Sequence, residues 1–136
     1  MDLFRVFDIA GSGMGAQSVR LNATASNLAN INSVSGDPAQ VYRARHPVFE
    51  TVVAGLGADS SAGVRVLGVV ESTADPVPVY EPGHPEADEA GYIYRGNVDL
   101  ASEMTNMISA SRAYQNNVEI LNTSKDLMLR TLSLGS

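Results

Sequence analysis

The chain has 136 residues, a formal net charge of -6 and no cysteine, and 44% of its residues are hydrophobic. The length fits one domain, or two small segments that share a chain. An acidic chain with no basic cluster is unsuited to binding a nucleic acid, and the lack of cysteine excludes disulfides and cysteine-ligated zinc. No apolar run approaches the ~18 residues of a membrane span, and no conventional signal peptide pattern opens the sequence.

Residues 1–32 carry a helical repeat of large apolar side chains. These side chains, the first heptad line, recur every seven residues: Phe7, Met14, Leu21 and Leu28. A repeat of this length predicts a helix that packs lengthwise on another helix. Polar residues interrupt the companion positions at Gln17 and Thr24, and such residues typically fix register or partner choice at some cost in stability.

Three glycines, Gly11, Gly13 and Gly15, fall inside this segment. A phosphate-binding loop is one interpretation, but such loops follow a strand and open a helix, and here the heptad repeat runs through. A closely packed or bendable part of a helix is the favoured interpretation, at up to ~1 kcal/mol for each glycine relative to alanine. Because these glycines weaken the helix, we expect it to begin only near Ser12 or Gly15.

The middle of the chain, residues 33–97, holds all six prolines and eight of the twelve glycines, and its helical periodicity vanishes. Apolar and β-branched residues predict extended segments at 40–44, 48–53 and 64–71, the first two split by His46-Pro47. The last two segments, joined by a flexible loop at 54–63, predict a β-hairpin. Residues 75–82 should be extended and lie at a sheet edge, because proline donates no ladder hydrogen bond.

Residues 97–134 contain neither glycine nor proline. Leu100, Met107, Tyr114, Leu121 and Met128 recur every seven residues as a second heptad line, with companions at Met104, Val118 and Leu132. Either Asn97 or Asp99 can cap this helix. The sequence thus predicts an α+β fold in which long N- and C-terminal helices pair as an antiparallel coiled-coil-like layer around a small β-rich middle segment. We expect residues 1–32 and 98–136 to form one discontinuous helical domain, with 33–97 as a separate unit.

Catalytic chemistry finds little support in the sequence. An acidic turn surrounds His84, but its carboxylates match no metal-binding spacing, and a solvated turn accounts for them: Glu81, Glu86, Asp88 and Glu89. Both histidines, His46 and His84, precede prolines and form no i, i+4 pair. We therefore predict no catalytic, cofactor-binding or metal-binding residues and no cofactor.

Several motifs resemble those of a known family. At the C-terminal end they are Val98-Asp99-Leu100, Ser109-Ala110-Ser111-Arg112-Ala113-Tyr114-Gln115 and Leu127-Met128-Leu129-Arg130-Thr131-Leu132. The block from Tyr80 to Asp88 and the asparagine-rich axial motif Asn27-Leu28-Ala29-Asn30, which Ala25-Ser26 precedes, complete the set. Together they resemble bacterial flagellar rod proteins of the axial family, in particular a subunit of the proximal rod.

This resemblance implies a structural subunit that assembles with other rod subunits and copies of itself into a helical tube. That tube would transmit torque, surround the export channel and form the part of the basal body that crosses the periplasm. The resemblance also implies export by the flagellar type III apparatus, and Phe49 and Val53 resemble the motif proposed for recognition by its gate. The acidic charge and the lack of a long apolar run separately predict no nucleic acid partner and no membrane insertion.

Three alternatives stay open at this stage. The chain could be another axial subunit of rod or hook type. It could be a non-flagellar helical adaptor that forms a closed complex with one partner. It could also be an enzyme that acts on cell-wall sugar at the acidic turn, in which case Glu81 and Glu86 would carry the activity.

Overall fold

A computed structural model describes residues 2–55, 57 and 60–136. A long helix lies at each end, α1 (Leu3–Ala29) and α2 (Leu100–Leu134). Between them lie five strands: β1 (Val34–Ser35), β2 (Arg45–Ala54), β3 (Ser61–Glu71), β4 (Val77–Tyr80) and β5 (Tyr92–Arg95). This order confirms the predicted α+β class, with two terminal helices and a β-rich middle.

Both helices begin at an aspartate. The Asp2 carboxylate accepts a hydrogen bond from the Phe4 N–H at 3.3 Å, and the Asp99 carboxylate accepts one from the Ala101 N–H at 3.2 Å. An acidic N-cap satisfies an otherwise unpaired backbone donor and complements the positive end of the helix dipole. Because Asp2 caps α1 at its first turn, our expectation that this helix begins near Ser12 or Gly15 is wrong.

The two helices pack against each other in antiparallel orientation. The Arg20 guanidinium donates to the Asn106 Oδ1 at 3.0 Å, and the Asn27 Nδ2 donates to the Glu103 Oε2 at 3.0 Å. Position numbers rise along α1 as they fall along α2, which confirms the predicted helix pair.

Close approach explains one of the three glycines of α1. A Cβ at Gly13 would lie 2.8 Å from the Asn117 Nδ2, whereas a Cβ at Gly11 or Gly15 would meet nothing within 4 Å. All three lie within the continuous helix α1, so the phosphate-loop geometry of a strand followed by a helix start does not occur here. Gly13 therefore lets the Asn117 side chain pack against the α1 backbone.

The predicted β-hairpin is confirmed. β2 and β3 pair in antiparallel register from Arg45↔Glu71 to Ala54↔Ser61, with a register shift after Val48. The hairpin rests on α1, where the Ser12 Oγ accepts a hydrogen bond from the Val64 N–H at 3.1 Å. Pro47 lies inside β2, so the predicted split of the strand at His46-Pro47 is wrong.

The extended strand predicted at residues 40–44 is also wrong. This segment is irregular, but two of its residues are buried: Val41 is 7% exposed and Ala44 is 4% exposed. The Ala44 carbonyl accepts a hydrogen bond from the Ser72 N–H at 2.7 Å. A Cβ at Gly96 would lie 2.3 Å from the Tyr42 carbonyl oxygen, so the segment is covered directly by backbone.

The second sheet has the strand order β1-β5-β4, with all pairs antiparallel. β4 contains Pro78 and lies at the edge of this sheet, as predicted for the proline-rich segment. The acidic turn joins β4 to β5. In that turn the Asp88 Oδ1 accepts hydrogen bonds from the Ala90 and Tyr92 N–H groups at 3.0 and 2.8 Å, and the Asp88 Oδ2 accepts one from the Tyr94 hydroxyl at 3.2 Å.

Gly96→Ala should destabilise the fold, because the new Cβ would meet the Tyr42 carbonyl oxygen at 2.3 Å and backbone atoms cannot simply move aside. Overpacking of this kind typically costs about 1–3 kcal/mol, and we expect a loss in that range in chemical denaturation. Gly83→Ala is the matched control, because a Cβ there meets nothing within 4 Å. Equal stabilities of the two variants would contradict the close approach.

Asp88 should make the stability of the β4–β5 turn depend on pH. Its pKa is lowered, chiefly by the hydrogen bond from the Tyr92 N–H and with further help from Tyr94. A carboxyl whose pKa falls on folding contributes stability above its unfolded pKa, and this stability is lost as the pH falls through the folded pKa. We therefore expect Asp88→Ala to lower the Tm at neutral pH and to approach the wild-type Tm in acid.

The neighbouring Glu89→Ala, at an exposed position of the same turn, provides the control and should change the Tm little. A deficit of Asp88→Ala that stayed constant between neutral and acid pH would count against an ionised carboxylate at the turn.

Candidate assembly surface

The first heptad line lies beside the contact between the helices. Gly13, Arg20 and Asn27 contact α2 and are themselves seven residues apart. Met14, Leu21 and Leu28 each follow one of them, which rotates these side chains by about 100° around the helix. The structure leaves all four members of the line half-buried: Phe7, Met14, Leu21 and Leu28.

These four side chains lie on the side of α1 away from the hairpin. Ser12 and Met14 flank Gly13, so the helical repeat directs them to opposite sides of the line that contacts α2. The hairpin packs on the Ser12 side of α1, because the Ser12 Oγ accepts a hydrogen bond from the Val64 N–H. The Met14 side therefore presents a row of large apolar residues that the hairpin does not cover.

The second heptad line follows the buried face of α2 more closely. That face is formed by Glu103, Ala110 and Ser124, and half-buried members of the predicted set lie next to it: Met107, Tyr114, Val118, Leu121 and Met128. The other members, Leu100, Met104 and Leu132, are 52%, 51% and 65% exposed. Met104 follows Glu103 by one residue, so the helical repeat rotates its side chain by about 100° from that buried position.

The end of α2 projects beyond α1. α2 has 35 residues and α1 has 27, and the antiparallel pairing of Gly13 with Asn117 brings the start of α1 opposite residue 127 or its neighbours. All residues from 129 onward are exposed, with Leu129, Leu132 and Leu134 at 55%, 65% and 87%. About 10 Å of helix bearing these leucines is therefore uncovered in the single chain.

The predicted export motif lies on the hairpin. Phe49 and Val53 both belong to β2 and are 38% and 63% exposed. An even separation along a strand places both side chains on one face. The motif is thus accessible on the folded hairpin.

The axial motif lies at the C-terminal end of α1. Asn27 is buried and bonded to Glu103, Leu28 is half-buried, Ala29 is exposed and Asn30 is the C-cap. The Asn30 Nδ2 donates to the Ser26 carbonyl at 2.9 Å, and the Ser33 Oγ donates to the Asn30 Oδ1 at 3.2 Å. The partners of Asn27 escaped sequence reasoning, since Glu103 and Tyr42 belong to no motif that pairs them with an asparagine.

Side chains of the acidic turn accept hydrogen bonds from the backbone N–H groups of the same turn. The His84 Nδ1 accepts a hydrogen bond from the Glu86 N–H at 3.0 Å, and Asp88 binds backbone donors of the same turn. Within residues 2–55, 57 and 60–136 no group of three or more histidine, aspartate or glutamate side chains could hold a metal ion. Over those same residues no helix has the length and apolar character to cross a bilayer.

Two family models match the ends of the chain. Residues 7–36, which span most of α1 and its C-cap, match a model described as flagella basal body rod protein. Residues 89–134, which end with α2, match a model described as flagellar basal body rod FlgEFG protein C-terminal. Both models therefore fall on the elements that form the helix pair.

Relatives align over the whole chain. The flagellar basal-body rod protein FlgC of Escherichia coli O157:H7 is 56% identical over 135 residues, which cover 99% of each chain. The proteins of the same name from Salmonella typhimurium and Yersinia enterocolitica are 53% and 52% identical over the same length and coverage. The chain therefore belongs to the FlgC family of flagellar basal-body rod proteins.

Proposed function

We propose that this chain is a structural subunit of the flagellar proximal rod. It assembles with other rod subunits and copies of itself into a helical tube that surrounds the export channel and transmits torque. The observation that carries this proposal, beside the family, is the set of large apolar side chains that the helix pair leaves uncovered. Phe4, Met104, Ile108 and Leu132 are all more than half exposed in the single chain.

Coverage by neighbouring subunits would add to the stability of the single chain. Full burial of a leucine or methionine side chain contributes about 1.5–3 kcal/mol, so a few such contacts at each neighbour suffice for a firm interface. The projecting end of α2 and the apolar side of α1 are different surfaces. A contact between unlike surfaces that does not close into a ring generates a helical filament, which is the form of a rod.

A structural role also accounts for the acidic turn. Its Asp88 carboxylate accepts three hydrogen bonds from its own turn and from Tyr94, so it serves the fold. An enzyme acting on cell-wall sugar would need a pair of carboxylates held in a cleft with one proton to donate. Glu81 and Glu86, the carboxylates that such an enzyme would use here, are both exposed. The lowered pKa of Asp88 favours its ionised form and opposes use of this third carboxyl group as a general acid.

Export through the type III apparatus fits the thin core. The buried apolar residues are mostly alanine, and small cores unfold at low cost, which suits a chain that must pass through a narrow channel unfolded. Phe49 and Val53 would then be read by the export gate in the extended chain before the hairpin forms. We propose this reading for the two residues together with the assembly role.

The assembly role is tested in a strain that lacks the gene. We expect non-motile cells whose basal bodies stop without a rod, and rescue by the wild-type chain. Met104→Asp and Leu132→Asp should be exported normally but fail to restore motility or the rod, because each puts a charge on an apolar subunit contact. Since both sites are already exposed, the isolated variants should unfold within about 0.5 kcal/mol of wild type.

Thr105→Asp and Ser133→Asp are the controls, since each adds the same charge at an exposed polar neighbour. Normal swimming of the deletion strain would leave a helical adaptor as the better interpretation. Normal swimming of Met104→Asp and Leu132→Asp in a rod-dependent strain would instead reject these two residues as contacts.

The export reading is tested separately with Phe49→Ala plus Val53→Ala. We expect a severalfold fall in the amount of subunit secreted into the medium by a strain that makes no rod, because the gate would lose its apolar contacts. The paired control is Val69→Ala plus Val70→Ala, on the partner strand β3, where both side chains are about as exposed. Equal secretion of the two double variants would remove Phe49 and Val53 from the export proposal.

A further inference from the structure

The carboxamide of Asn27 occupies the point where three parts of the chain meet. Asn27 is 1% exposed, the largest side chain of the described residues to be so fully enclosed. Around it lie α2, the irregular segment before the hairpin and the first residue of β2. A polar side chain in such a place has to be fully hydrogen-bonded, because water cannot reach it.

The Asn27 amide makes every hydrogen bond that it can make. Its Nδ2 donates to the Arg45 carbonyl at 2.9 Å and to the Glu103 Oε2 at 3.0 Å. Its Oδ1 accepts from the Arg45 N–H at 2.8 Å and from the Tyr42 hydroxyl at 2.7 Å. A primary amide has two N–H donors and two lone pairs, so its capacity is used completely.

Two of these bonds reach the backbone of one residue. The amide bonds both the N–H and the carbonyl of Arg45, as a neighbouring strand does at a hydrogen-bonded pair of an antiparallel ladder. Arg45 is the first residue of β2. The Asn27 side chain thus links α1 to the first residue of β2 in the way that one residue of a further strand would.

Glu103 links this contact to the pairing of the helices. Its side chain is enclosed, at 4% exposure for the residue, and its Oε2 accepts the hydrogen bond from the Asn27 Nδ2. It therefore holds the amide with Nδ2 toward α2, the orientation in which both remaining bonds fit Arg45. A slip of α2 by one heptad would put Ala110 in place of Glu103, and alanine cannot hold the amide.

We propose that Asn27 couples the two halves of the fold, so that the β2–β3 hairpin is seated only when α1 and α2 pair in this register. The junction is a conformational device: helix pairing orients the amide, and the oriented amide binds the start of β2. It concerns the folding of the single chain and stands apart from any contact between subunits.

The coupling can be tested by locking the helices together. The chain has no cysteine, so Gly13→Cys with Asn117→Cys introduces the only two thiols, at positions where the side chain of one helix already touches the other. Hydrogen exchange of the full-length chain is then compared with the disulfide formed and reduced. The amides of β2 and β3 report seating of the hairpin, and the amides of residues 110–117 report pairing of the helices.

With Asn27 present, we expect the disulfide to raise the protection of both helix and hairpin amides, the latter by about tenfold or more. With Asn27→Ala or Glu103→Ala, the locked helices should stay protected while most of the gain in the hairpin disappears. Asn30→Ala is the matched control, because the side chain of this asparagine bonds to Ser26 and Ser33 nearby, and the variant should keep the gain.

Three outcomes would overturn the coupling. The hairpin could gain protection equally with and without Asn27, or gain none when the helices are locked in the wild-type background. The locked Asn27→Ala chain could also lose protection in residues 110–117 as much as in the hairpin, which would make Asn27 an ordinary core residue.

Discussion

The fold depends on how closely α1 and α2 approach each other. Their contact is made by small and polar side chains, with Ala110 fully enclosed, Gly13 against Asn117 and Asn27 bonded to Glu103. Small residues allow two helix backbones to come near, and then no room is left between them for leucine or methionine. The large apolar residues of both helices must therefore lie at the flanks of the contact. The small residues at the helix contact therefore determine both the composition of the core and the position of the large apolar residues on the proposed assembly surface.

The distribution of apolar residues is the one expected of a chain whose exposed apolar side chains contact other molecules. Over the part of the chain that the structure describes, residues 2–55, 57 and 60–136, five of the seven buried apolar residues are alanine, and the other two are Val41 and Ile93. Within the same residues twenty larger hydrophobic residues are exposed, among them leucines at the end of α2. Exposed apolar area on this scale marks interaction surfaces in soluble proteins. The proposed assembly would cover part of this apolar area.

The heptad repeats predicted the helices, their pairing and its direction. A second line of positions seven apart lies one residue earlier on α1, where Gly13, Arg20 and Asn27 contact α2. Glycine and asparagine give no hydrophobic signal, so the sequence did not draw attention to this line. In the middle, the β-branched run of β3 predicted the hairpin. β1 and β5 have two and four residues, which is too short to show a strand periodicity in the sequence. They form because β1 pairs with β5 and β5 pairs with β4.

The Asn27 junction shows why a thin core needs a polar element. Burial of alanines is favourable but tolerant of register, because one alanine packs nearly as well as the next against a helix of small residues. A fully bonded amide is intolerant, since any shift leaves a donor or an acceptor enclosed without a partner. Asn27 bonds Glu103 on α2 through its Nδ2 and Arg45 on β2 through both Nδ2 and Oδ1 of the same rigid amide group, so a shift in either contact disturbs the other. In this chain few large apolar residues are buried, and the polar Asn27 junction contributes to specifying the internal arrangement.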